Sequence, residues 1–189
     1  MRDLEAEFAA IIGADPELMR LLTSLRRLDL PQGLLVSGAI YQSVWNVLCG
    51  LAPGTGIRDY DVIYFDDADL SFEAEDAVIR RVAAAMPGFA APVETRNQAR
   101  VHLWYERRFG APMAPLASAA QSLAFYATVT HAVGARLEPD GSLDIVAPFG
   151  LDDMFDMVLR PNPACPSPGS HAEKARRAMA IWPRLRIVD

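Results

Sequence analysis

Asp59 and Asp61 stand at the head of the apolar, β-branched and aromatic run Val62-Ile63-Tyr64-Phe65. Such a run reads as a buried strand, and residues i and i+2 of a strand point to the same face. Both carboxylates therefore leave one side of a strand end, close together. Two bare carboxylates at that spacing repel: one takes up a proton, or a cation neutralises both. Grouped hard oxygen donors suit Mg²⁺, which keeps several waters and takes one or two protein carboxylates together with substrate phosphates. The same pair also reads as a polar strand end whose acids face water.

The remaining composition narrows the field. The chain has 189 residues, of which 51% are hydrophobic and 22% charged, enough to bury a core and too apolar for disorder. A net charge of −6 argues against a dedicated nucleic-acid binder but not against a nucleotide held through metal. The positive charge is almost all arginine, and Lys174 is the only lysine. Cys49 and Cys165 lack metal-ligand spacing and read as free thiols of a reducing compartment. Arg2, Asp3, Glu5 and Glu7 do not suit a signal peptide, and no run reaches the length of a membrane span. A cytoplasmic location is expected, with no membrane partner.

Hydrophobic spacing gives the elements. Leu4, Phe8, Ile11 and Ile12 form one amphipathic stripe ending at Gly13, and Asp15-Pro16 starts a second helix with Leu18, Leu21, Leu22 and Leu25 inside. Leu34–Val36 is a short buried strand. Ser37-Gly38-Ala39 leaves it and opens a helix carrying Ile40, Val44, Trp45 and Leu48. The loop 50–56 leads into the strand 59–65. Ser71 caps a helix reaching about Met86, whose Glu73 and Glu75 are expected to serve the helix dipole and face solvent. A third strand over 92–96 puts Val93 and Thr95 on one face and Glu94 and Arg96 on the other. Asn97 caps a helix with Val101, Trp104, Tyr105 and Phe109 aligned and His102 one step off the stripe. Leu116–His131 is Ala-rich and expected to be helical. A hairpin follows, turning at Pro139-Asp140-Gly141, then a short helix at Leu151–Phe155, and Ser170 with Glu173 suits a capping box for the last helix. Leu185–Val188 closes the chain as a strand or tail.

A strand that ends in Gly38 and opens a helix, a next strand beginning Asp59-x-Asp61, and a third strand offering Glu94 form one local plan. It resembles the nucleotidyltransferase superfamily with the polymerase-β-like palm. The blocks Gly38-Ala39-Ile40 with Val44-Trp45, Asp59–Phe65, Asn97–His102 and Ala147–Asp153 are similar, in this order, to a bacterial family of nucleotidyltransferase-like proteins. The resemblance covers roughly residues 30 to 183. It implies an α/β (α+β) fold, a palm-like mixed sheet with flanking helices plus a mostly helical C-terminal part with a β-hairpin. The expected division is a core with N-terminal helices over 1–111 and a helical part with the hairpin over 112–189, packed with the core as one domain or beside it.

The resemblance also implies roles. Gly38 and Ala39 would receive the triphosphate, Asp59 and Asp61 would hold Mg²⁺ (or Mn²⁺), and Glu94 is the best-placed third carboxylate, with Asp144 the runner-up. Arg100 could bind a phosphate or carboxylate bidentately, with Asn97 and His102 in support, although Asn97 could equally be only a helix cap. Asp152 and Asp153 read first as dipole groups of a short helix. Three departures from the pattern stand out. Ala39 lacks the usual hydroxyl option, the gap from Gly38 to Asp59 is long, and Glu94 could simply pair with Arg96. The implied activity is metal-dependent transfer of an NMP from an NTP to a small-molecule or protein acceptor. A nucleic-acid acceptor is disfavoured by the acidic balance. The alternative is a non-catalytic nucleotide- or partner-binding protein on the same fold.

Overall fold

The apolar triplet Leu34–Val36 becomes β1, the middle strand of a five-stranded sheet ordered β3-β2-β1-β4-β5. Its partners are β2 (Tyr60–Tyr64), β3 (Val93–Asn97), β4 (Gly134–Leu137) and β5 (Leu143–Val146). β1 runs antiparallel to both neighbours, β2 and β3 are parallel, and β4 and β5 form the expected hairpin. The computed structural model describes residues 2–167 and 171–188, so the expected capping box of Ser170 and Glu173 lies outside the described residues.

Strand alternation divides the core in two. Leu35, Tyr60, Val62, Tyr64 and Ala135 face α1 (Leu4–Ala14), α2 (Pro16–Leu28), α3 (Gly38–Cys49) and α4 (Phe72–Ala85). Leu34, Val36, Ile63 and Phe65 face the other way, against the 3₁₀ turn Gln98–Leu103, α5 (Tyr105–Phe109) and α6 (Ala119–Leu123). Local chemistry sets the helix starts. α1 runs to Ala14, one residue beyond the expected Gly13, and Asp15 caps α2 through the amides of Glu17 and Leu18, with Pro16 in the first turn. Ser71 caps α4 through the amide of Ala74.

The helix expected from Asn97 to Phe109 is instead a 3₁₀ turn and the separate α5, with Trp104 between them. Two further expectations fail for tertiary reasons. Glu75 does not face solvent: it is buried, ion-paired with Arg100, and accepts the Asn97 amide at 2.9 Å. Leu116–His131 is not one helix. α6 stops at Leu123, and the Asn162 side chain donates to the carbonyls of Ala124 and Tyr126 at 2.7 and 2.8 Å. The β-branched stretch beyond is tied to the C-terminal part instead, with Thr130 Oγ1 donating to the Val158 carbonyl at 2.5 Å.

The C-terminal part returns to α3. α7 (Asp152–Phe155) leads to β6 (Val158–Leu159), which pairs in parallel with β7 (Arg186–Ile187). Between them, α8 (His171–Ile181) ends at Trp182, which is buried edge-on to Trp45 with ring centres 5.2 Å apart. Trp182 Nε1 donates to Asn46 Oδ1 at 2.9 Å, and Asn46 Nδ2 donates to the Thr55 carbonyl at 3.0 Å. One amide therefore ties α3, the 50–59 loop and the end of α8 together. No helix among the described residues is long and apolar enough to cross a membrane.

Gly56 lies where this loop meets Trp182. Its φ is +81°, and a Cβ there would stand 2.4 Å from the indole. Gly54, at φ +78°, has nothing within 4 Å of the same position. Gly54→Ala is expected to cost about 1–2 kcal/mol, the strain of a left-handed conformation for an L-residue. Gly56→Ala adds a steric clash of about 1–3 kcal/mol on top. Urea unfolding of the two variants checks this; equal losses would show that Trp182 does not sit against the loop.

Candidate nucleotide site

The register of the sheet assembles the acids. Val36 pairs with Asp61, and Asp61 pairs with Glu94, so the three stand side by side across β1, β2 and β3. Asp59 comes one residue before β2 begins and, like Asp61, is half-buried. Both line a cavity of about 320 Å³ whose near wall is Ser37 and Gly38, where β1 turns into α3. Lys174 and Arg177 line it from α8, and Arg58 lines it from the loop. The acid pair thus shares one cavity with three cations.

A second cavity of about 330 Å³ meets the first at Ser37, Asp61, His131 and Lys174. Glu94 and Arg96 line only this second one of the two. Glu94 is exposed, and its carboxylate lies 3.7 Å from the Arg96 guanidinium.

Ser37 carries a backbone that few non-glycine residues adopt, with φ 60° and ψ −127°. It occupies the cap position of α3, yet its side chain makes no capping bond. The first amides of α3 are therefore left without a side-chain acceptor, an arrangement suited to an anion. The hydroxyl that Ala39 lacks is supplied nearby by Ser37, which lines both cavities. Ala39 itself is fully buried in the core, so its side chain does not reach the site.

Charge is unevenly distributed here. Burial, then the charges of Asp59 and Glu94, push the Asp61 carboxyl up to about 6, while Lys174 and Arg96 pull it back. Tyr41 forms part of the floor, stacked on His131 with ring centres 4.4 Å apart, and burial pushes its hydroxyl up to about 12. Among the described residues, no group of three or more His, Cys, Asp or Glu side chains is gathered as a metal cage. The donor set is instead two carboxylates that offer only oxygen ligands. That fits an ion which completes its shell with water and phosphate oxygens.

The structure leaves other expected residues away from this place. Arg100 does not line either cavity: its half-buried guanidinium pairs with Glu75 and donates to the Leu70 carbonyl at 2.9 Å. Asn97 is a buried tie, accepting from the amides of Ala99 and Asp66 and donating to the Asp66 carbonyl. His102 lines neither cavity. Asp144 pairs with Arg136 at 2.8 Å, and Asp153 with Arg160 at 2.8 Å. Sequence reasoning missed Ser37, Arg58, His131, Lys174 and Arg177. Of these only Lys174, the single lysine, carried any signal of its own.

Comparison with known proteins agrees with this fold. The family described as Nucleotidyltransferase matches residues 23–187. An NMR structure described as a CCA-adding enzyme head domain superposes with a TM-score of 0.77 at 24% identity, covering 97% of this chain and 95% of that one. A CCA-adding enzyme of Thermotoga maritima complexed with tRNA gives 0.52 at 18% identity, over 98% of this chain and 42% of that one. A CCA-adding enzyme in complex with CTP gives 0.53 at 15% identity, over 98% and 43%. The chain thus spans about two fifths of these last two enzymes, and at such identities the likeness is one of fold. No curated protein matches the chain in sequence.

The raised Asp61 carboxyl makes a signed prediction. The folded state holds this proton more tightly than the unfolded chain, so the contribution is complete below about pH 4 and is lost as the pH rises through about 6. Asp61→Asn removes the charge without removing the amide's space. Its melting temperature should match wild type near pH 4 and exceed it at pH 7.5 by roughly 2–4 °C, the shift that about 1 kcal/mol makes in a domain of this size. Thermal melts of both proteins across this range, without metal or nucleotide, check it.

Proposed function

Because the chain belongs to the nucleotidyltransferase family, we propose that it moves a nucleoside monophosphate from an NTP to a small-molecule or protein acceptor. The observation that carries this reading is the meeting of Asp59 and Asp61 with Lys174, Arg177 and Arg58 in one cavity beside the uncapped start of α3. A triphosphate needs both halves. Its charge is neutralised by the cations, and its oxygens take hydrogen bonds from the Ser37 hydroxyl and the first amides of α3.

Asp59 and Asp61 would hold Mg²⁺ or Mn²⁺, with Glu94 in reach of the same place. When bound, the ion supplies Lewis-acid stabilisation of the charge that shifts onto phosphate oxygen. The acceptor oxygen bonds to the α-phosphorus, the bond from that phosphorus to the α,β-bridging oxygen breaks, and diphosphate leaves. Glu94 lines the second cavity, which shares Asp61 with the first, and there it can orient the acceptor and take its proton. Positioning and charge do most of the work in such a displacement.

The net charge of −6 weighs against a long polynucleotide acceptor. The tRNA-bound relative, more than twice as long, makes a tRNA-like acceptor the alternative to be tested. A second reading, a non-catalytic nucleotide- or partner-binding protein, is favoured by one observation: Glu94 is exposed, with the Arg96 guanidinium beside its carboxylate.

Each of the four NTPs with Mg²⁺ should be tested by thermal shift, and pyrophosphate release then measured with candidate acceptors. At least one NTP is expected to raise the melting temperature only when the ion is present. Asp61→Asn should abolish that rise. Lys174→Met, which keeps the aliphatic stem, should weaken NTP binding about tenfold, the factor that ~1.4 kcal/mol represents. An equal shift in wild type and Asp61→Asn would remove the ion from these residues. Saturable NTP binding without pyrophosphate release from any acceptor would favour the non-catalytic reading.

A further inference from the structure

Asp61 is shared by two cavities of very different character. The one beneath α8 is walled by cations and suits a triphosphate. The other is walled by Trp104, Phe109, Met113, Phe125 and Tyr126, with Glu94 and Arg96 at the Asp61 end. Phe109 is 43% exposed, with Trp104 and Tyr105 packed on its ring. Burial holds the Tyr126 hydroxyl protonated, and the charge of Asp61 acts in the same direction. This is a chamber lined largely by apolar and aromatic side chains with a few polar groups among them, the usual build of a small-molecule site.

We infer that this second cavity is the acceptor site, and that it takes a small alcohol with a planar apolar body. The inference rests on the nucleotide assignment of the neighbouring cavity. The ring lies among Trp104, Phe109 and Phe125, and the hydroxyl points to Asp61 and Glu94, where the two cavities join. From there the hydroxyl oxygen bonds to the α-phosphorus as diphosphate departs, and its proton passes to the Glu94 carboxylate. The volume of about 330 Å³ admits a ring with a short side chain. The charges around the junction are balanced, Asp61 and Glu94 against Arg96 and Lys174, which suits a neutral acceptor better than a phosphate-bearing strand.

Phenol, benzyl alcohol and 2-phenylethanol are the probes. Their binding is followed by saturation-transfer NMR with the full chain, with and without NTP and Mg²⁺. The nucleotide-induced thermal shift is recorded separately on the same samples. At least one probe is expected to bind, and to remain bound when NTP and Mg²⁺ are added. Ala127→Phe fills the chamber, and Ala127→Leu fills it partly should the larger change impair folding. Either variant should reduce probe binding by tenfold or more, with the nucleotide-induced shift serving as the control for folding. Three results would overturn the inference. They are no binding by any probe, displacement of a bound probe by NTP (which would make the chamber the base pocket), and binding unaffected in both Ala127 variants. A short single-stranded RNA that displaces the probes would replace the small alcohol by a nucleic-acid acceptor. Loss of the nucleotide shift in wild type, with probe binding intact, would count against the nucleotide cavity and leave the chamber as a binding site only.

Discussion

The hydrogen bond from Trp182 Nε1 to Asn46 Oδ1 decides where the cationic wall of the site stands. Asn46 is nearly fully buried, and its other amide group is spent on the Thr55 carbonyl. A buried amide with both ends committed strongly disfavours rearrangement, because any shift leaves polar groups unpaired. Through it α8 is held beside α3, and Lys174 and Arg177 come over Asp59 and Asp61. The parallel pair β6–β7 and the bond from Arg184 Nη1 to the Leu48 carbonyl at 2.6 Å hold the same return of the chain from its far end.

The sheet makes the opposite contribution. Its register places Asp61 between Val36 and Glu94, in a position where burial and like charge both disfavour ionisation. A carboxylate kept this way is strained in the free protein and relieved by a cation or a proton. The acids and α8 therefore depend on each other through whatever lies between them. The same arrangement explains why the chain can be acidic overall and still present a local cationic face to an anion.

The legible part of the chain was the part governed by local chemistry. Asp15-Pro16, Ser71 and Asp140-Gly141 act through neighbours in sequence, and α2, α4 and the hairpin formed where those signals stand. The strand alternation at Asp59–Phe65 likewise placed both acids on one side, and the glycine turn at Gly38 was found at the cavity wall. What escaped notice depends on contacts far apart in sequence. Glu75 looks like a first-turn dipole group, and only its pairing with the Arg100 guanidinium makes it a core residue. Leu116–His131 has helical composition, but Asn162 captures the carbonyls that a longer helix would have used. Lys174 and Arg177 drew no role from the sequence, because nothing local shows that Trp182 will dock on Asn46. Ser37 was passed over in favour of Ala39, although its unusual backbone turns the hydroxyl-bearing residue to the cavity.

The central claim is that Asp59 and Asp61 hold a divalent ion against a triphosphate lying under α8. Its most direct test is a crystal structure with Mn²⁺ and an NTP analogue whose α,β-bridging oxygen is replaced by carbon, read by anomalous scattering at the manganese edge. The account predicts a manganese peak within coordinating distance of both carboxylates and a triphosphate running from the start of α3 to Lys174 and Arg177. A manganese peak away from Asp59 and Asp61, or a triphosphate bound on another face of the molecule, would contradict it.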